Sequence, residues 1–144
     1  MTTNINYTNK RFATEGNVVT CTLDATLNLN SFPALRAALH TKMGNKMLNE
    51  KHCTETTDHN IRFTTSAVAK FNSADEKFEE KVGRHIAEDR ATEKAMKKVL
   101  SIYAWFSTHY IECAEREAGK RVYKMLLLIQ KMEKHNEDAK HNPK

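Results

Sequence analysis

The sequence predicts an α+β fold: a small antiparallel sheet of about three strands packed on a long helix, followed by a mainly helical C-terminal half. Three observations predict it. Residues 61–71 place Ile61, Phe63, Thr65, Ala67, Ala69 and Phe71 on alternate positions, the period of a strand with one buried face. Residues 18–23, Val-Val-Thr-Cys-Thr-Leu, are rich in β-formers and follow a Glu15-Gly16-Asn17 turn. From Ser73 to about residue 135 the chain reads as helix almost without interruption.

The 144 residues suit one domain. It divides into a sheet-plus-helix core over 11–95, a helical extension or hairpin over 96–135, and a flexible tail over 136–144. In order, residues 11–29 form two strands around the Gly16 turn, with Phe12 in the first. Asp24 to Leu29 either extend the second strand or leave the sheet. Ser31-Phe32-Pro33 opens a short helix: Ser31 caps it and Pro33 occupies the first turn, where a missing N–H costs nothing. Leu35, Ala38, Leu39 and Met43 share one face, and Gly44 is the expected stop. Residues 45–60 are polar and read as an exposed loop, either directly or after a ragged extension of the helix.

Ser73-Ala74-Asp75-Glu76 is a capping box, the clearest helix start in the chain. A straight helix from there to residue 135 would run roughly 90 Å at 1.5 Å per residue. A compact domain of this size predicts a break, at Gly119 or at Ser107-Thr108. Two stripes mark the first part of the helix. One is apolar: Phe78, Val82, Ile86, Met96 and Leu100, with Asp89 and Glu93 near its centre. The other is Gly83, Ala87, Ala91 and Ala95, small residues four apart that admit a close neighbour. Farther on come Val99, Tyr103, Phe106, Tyr110 and Cys113, with Ile102 and Trp105 to another side. Ala118, Val122, Met125, Ile129 and Met132 form a later stripe flanked by residues 126–128. A helical hairpin or a homo-oligomer would bury these faces, and Tyr103, Trp105, Phe106 and Tyr110 are the candidate interface residues.

Charge and cysteine usage narrow the setting. The net charge of +5 favours acidic partners, although acidic and basic residues are interleaved in the manner of solvated helices. Three cysteines without close spacing point to free thiols and a cytoplasmic location. The longest apolar run, 125–129, is too short to cross a bilayer, so no membrane partner is expected.

Catalytic signatures are absent: the chain holds no GxGxxG, P-loop, GxSxG, HExxH or CxxC. Only four glycines are available for loop-built sites. His109 and Cys113 share a helix face without a third catalytic member. His40, His52, Cys53 and His59 are zinc-ligand types, yet they lie at irregular spacing in a polar stretch, so no metal and no cofactor is expected. The expectation is a binding protein and not an enzyme, with no catalytic residues. Arg84, His85 and Arg90, combined with Phe71 or Phe78, form a candidate nucleotide clamp: guanidinium groups on phosphate, an aromatic on the base. The same residues also suit a solvated face with i,i+4 ion pairs. Nucleic acid is the alternative partner.

The run Ala67-Val68-Ala69-Lys70-Phe71-Asn72-Ser73-Ala74-Asp75, followed by Phe78, Gly83, Ile86-Ala87 and Arg90-Ala91, resembles a strand-to-helix signature of small bacteriophage and prophage proteins. The resemblance covers residues 61–95, and Phe71 stands where the signature has a cysteine. Such proteins include counter-defence factors of the anti-Thoeris type. The resemblance implies a phage-encoded protein acting in the host cytoplasm, one that blocks or sequesters a host defence component, either a nucleotide signal or a protein.

Overall fold

The computed structural model describes residues 4–71 and 79–141, with side chains described up to residue 139. Its elements are β1 (Ile5–Glu15), β2 (Val18–Leu27), α1 (Pro33–Leu39), α2 (Lys42–Glu50), β3 (Thr54–Glu55), β4 (Ile61–Lys70) and α3 (Glu80–His141). The class is the expected α+β one. The sheet is antiparallel throughout and has four strands, ordered β1-β2-β4-β3. The capping box at residues 73–76 and Phe78 lie outside the described residues.

Gly16, first of the two residues between β1 and β2, has φ +59, the sign hairpin turns favour there. β1 begins well before Arg11 because β2 offers a partner as far as Leu27, which pairs with Ile5. Between Thr8 and Arg11 the register shifts by a bulge, with Asn9 at φ +54, a left-handed angle asparagine tolerates. β4 alternates buried and exposed over all ten residues. Ile61, Phe63, Thr65, Ala67 and Ala69 face α3, and the even positions face solvent.

The connection from β2 to β4 departs from expectation. Ser31 does not cap α1; its Oγ accepts a hydrogen bond from Asn4 Nδ2 at 3.0 Å, and Phe32 holds the cap position. α1 stops at Leu39, and Gly44 lies inside a second helix. Thr41 creates that helix: its Oγ1 accepts from the Gly44 amide at 3.1 Å and donates to the Ala38 carbonyl at 2.7 Å. The expected loop thus contains α2 and the short strand β3, which pairs with Arg62 and Ile61 of β4.

α3 buries its small stripe and exposes its larger one, the reverse of what hydrophobicity alone suggests. Ala87, Ala91 and Ala95 are fully buried against the sheet, whereas Val82, Met96 and Leu100 are exposed and Ile86 is half-buried. The close approach explains the choice. Thr65 Oγ1 donates to the Ala91 carbonyl at 3.0 Å, and a Cβ on Gly83 would stand 2.8 Å from Val19. Larger side chains would hold the helix off the strands. Asp89 and Glu93 are accordingly exposed. The buried face continues through Val99 and Ile102 to Cys113.

The anticipated break in the long helix does not occur. α3 runs for 62 residues, about 93 Å at 1.5 Å per residue. Thr108 Oγ1 donates to the Ala104 carbonyl at 3.0 Å, so this hydroxyl is accommodated within the helix. Gly119 costs about 1 kcal/mol against alanine, too little to end a helix rich in Glu, Lys, Met and Leu. Ion pairs Arg84–Glu80, Lys97–Glu93 and Arg116–Glu112 support it at i,i+4 spacing. Residues 136–141, expected as tail, are its last turns. Every position from 114 to 139 is exposed. The protein is therefore a sheet-and-helix head from which α3 projects as a stalk of about 40 Å.

Candidate functional site

The residues expected to clamp a nucleotide are distributed over two flanks of α3. Arg84 pairs with Glu80 at 3.0 Å and lies over the Phe12 ring at 5.5 Å, on the β1 side. His85 joins them beside a shallow hollow of about 390 Å³ that also includes Lys10 and Glu88, themselves paired at 2.8 Å. Arg90 points to the opposite flank and donates to the Val68 carbonyl at 2.8 Å. Lys94 donates to the Ser66 carbonyl and Lys98 to the Lys51 carbonyl, each at 2.8 Å. Arg90 and Lys94, four apart on α3, thus cover backbone acceptors along the part of β4 that β3 leaves unpaired, and Lys98 covers the carbonyl at the end of α2. Charged cover of this kind discourages edge-to-edge strand pairing. Phe71 packs inward against Gly83, and the aromatic beside Arg84 is Phe12.

The aromatic group on α3 is largely committed within the chain. Phe32, just ahead of α1, meets Tyr103 at 6.0 Å and Phe106 at 5.0 Å between ring centroids. Tyr103, Trp105 and Phe106 are partly buried against the core. Tyr110 is 47% exposed and stacks on Phe106 at 5.3 Å. The aromatics therefore anchor α1 to α3, a use that a stripe read along one helix does not reveal. His109 leans on Trp105 and lies 3.8 Å from Glu112, while Cys113 is buried beside Thr41 and Met43. Burial raises the thiol pKa of Cys21 and of Cys53, keeping both in the less reactive protonated form.

On the sheet face away from α3, Asp24 is nearly fully buried in a polar network. Its carboxylate accepts from Thr64 Oγ1 at 2.7 Å, Asn9 Nδ2 at 3.2 Å and Arg62 at 3.3 Å, with Arg11 at 3.6 Å. The Thr64 and Asn9 bonds, followed by the Arg62 bond and the Arg11 charge, outweigh desolvation and lower its pKa to about 2. Arg11 and Arg62 thus share the single Asp24 carboxylate, and the cluster keeps one net positive charge. The bulge that brings Asn9 to the network leaves no hydropathy signal.

Two features remain with unused capacity. At the corner of α1, β3 and the β3–β4 turn, His40 and His59 both approach Glu55. Of the four zinc-ligand types noted in the sequence, the fold unites His40 and His59 and brings in Glu55, while His52 lies elsewhere, beside Thr54 and Arg62. The second is the stalk. Val122, Met125, Ile129 and Met132 are 59%, 57%, 45% and 60% exposed, and Leu126 and Leu128 flank them. Single exposed apolar residues need no explanation; here they form a contiguous row along the stalk. Among the described residues, no helix is long and apolar enough to cross a membrane.

No protein-family model matches the chain, and neither the curated proteins nor the solved structures yield a match.

Proposed function

We propose that this chain is a non-enzymatic binding protein that works as a self-associated assembly, the stalk of one copy winding against the stalk of another. The observation that carries the reading is the uncovered stripe Val122, Met125, Ile129 and Met132, whose spacings alternate three and four. That alternation keeps an apolar seam turned toward a partner helix over successive heptads. With Val122 and Ile129 at the a positions and Met125 and Met132 at d, β-branched residues stand where a parallel pair favours them. Asn136 then takes the next a position, where a polar residue sets register. Leu126 and Leu128 widen the seam. Each half-exposed apolar side chain covered in this way contributes about 1 kcal/mol.

The assembly presents its heads to a target. The resemblance to small phage counter-defence proteins supports a host defence component as that target, and a protein suits the head better than a nucleotide signal. The two arginines that would grip phosphate face different flanks and already serve Glu80, Phe12 and the Val68 carbonyl. The same engagement weighs against nucleic acid.

Sedimentation velocity on the full chain tests the reading, with Val122→Glu and Ile129→Glu as variants. Both positions are exposed, so the head should keep its circular dichroism. The expected result is at least a dimer for the parent chain and a shift to monomer for either variant. A parent chain that sediments as a monomer at every concentration would sink the assembly. A nucleotide retained in native mass spectrometry would overturn the preference for a protein target.

A further inference from the structure

We propose that His40, Glu55 and His59 form a binding site for one zinc-class divalent cation, which ties the end of α1 to the edge of the sheet. His40 Nε2 lies 2.6 Å from Glu55 Oε1, and His59 Nδ1 lies 3.1 Å from the same oxygen. All three donor atoms fall within 4.8 Å of one another. Tetrahedral zinc with metal–ligand distances near 2.0–2.1 Å sets its ligands roughly 3.3 Å apart, so small side-chain rotations complete the shell.

The donors arrive from two stretches of backbone, the end of α1 and the β3–β4 hairpin, each held by its own hydrogen bonds. His40 closes α1, its amide bonded to the Ala37 carbonyl at 3.2 Å. Glu55 is fixed by the pairing of β3 with β4. His59 sits at φ +63 in a turn closed by the Thr56 amide on the Asn60 carbonyl at 2.8 Å and the His59 amide on the Thr56 carbonyl at 2.9 Å. Asn60 Oδ1 accepts in turn from the Leu29 amide at 3.1 Å, which anchors the turn to the head. The donors are therefore brought together by the fold and not by one flexible loop.

The donor set selects the ion. Two imidazoles and a carboxylate suit zinc and the neighbouring late first-row divalent metals. Calcium requires six to eight oxygens, and magnesium prefers an oxygen shell that keeps several waters. The soft thiolate ligands that copper(I) favours are missing from the set. Without an ion, the two rings, 5.5 Å apart, both hydrogen-bond one carboxylate oxygen. A bound dication would take the place of these bonds, each ring nitrogen and the carboxylate offering a lone pair to one centre. The ligand side chains are 26–50% exposed, leaving solvent access for a water as the fourth ligand. The consequence is a staple: an ion here joins positions 40 and 59 across the turn-rich segment that carries α2 and β3.

Calorimetric titration of the metal-free full chain with zinc chloride is the test, together with His40→Ala, Glu55→Gln and His59→Asn. Asparagine is chosen at position 59 because it tolerates the left-handed angle. Glu55→Gln keeps the shape of the carboxylate group and removes its charge. The expected result is one equivalent bound by the parent chain, at least tenfold weaker binding in each variant, and a zinc-dependent rise in Tm that the variants lose. Cobalt substitution should give visible d–d bands without a thiolate charge-transfer band. No uptake by the parent chain, equal affinity in the variants, or a thiolate band would each overturn the proposal.

Discussion

Replacing Gly119 with alanine asks whether α3 continues through the position where the sequence most invites a reversal. In the structure Gly119 lies within the helix, and a Cβ built there meets nothing within 4 Å. No steric term opposes the substitution, so its effect is the difference in helix propensity, about 1 kcal/mol in favour of alanine. At 1.36 kcal/mol per tenfold, that is roughly a fivefold smaller opening equilibrium for the surrounding turns. Hydrogen exchange on peptides covering residues 112–126, compared at equal protein concentration, reads this directly. Exchange should slow by up to about fivefold in Gly119→Ala, with no change in β4. If the chain instead reversed at Gly119 through a left-handed residue, alanine would be strained there by a similar amount and exchange would quicken. Faster exchange, or lost ellipticity, refutes the continuous stalk.

Gly44→Ala has the opposite expected sign. A Cβ at Gly44 would lie 2.2 Å from the Ala38 carbonyl oxygen and 2.6 Å from Leu39 Cα, and backbone atoms cannot swing aside. Overpacking at the upper end of about 1–3 kcal/mol, less about 1 kcal/mol of helix propensity, leaves a net loss near 2 kcal/mol, seen as a Tm lowered by roughly 6 °C. A Tm at or above that of the parent chain would contradict the packing of α1 on α2. Asp24 predicts an acid limb: its folded pKa, about 2, lies below the ordinary 3.8, so its contribution is complete above about pH 4 and is lost as pH falls toward 2. Urea midpoints measured from pH 5 to pH 2 should drop less steeply in Asp24→Asn than in the parent chain, and parallel curves would remove Asp24 from the account.

Much of the head was legible along the chain because its signals are local. The turn at Gly16 needs a positive φ, and glycine supplies it. β4 announces itself through a strict two-residue alternation, and β2 through its β-branched run. Even the stripe Gly83, Ala87, Ala91 and Ala95 was visible as a place of close approach. Its weight was not, because alanine carries little hydropathy, and Val82, Met96 and Leu100 look the better core. α2 had a readable signal in Thr41 as its cap, overshadowed by Gly44 as a stop. Arg84 and Arg90, six residues apart on a helix, turn to different flanks, a separation that the linear order of residues does not display.

From the sequence alone come the α+β class, the hairpin, the two central strands and the helical character of the C-terminal half. Each rests on periodicity or turn chemistry within a few residues. Tertiary structure alone decided which face of α3 meets the sheet, that the helix does not fold back, and that Tyr103 and Phe106 close on Phe32. It also decided that His40, Glu55 and His59 share a corner. Those outcomes depend on how closely two backbones can approach and on where distant segments end, quantities that no local pattern of side chains contains.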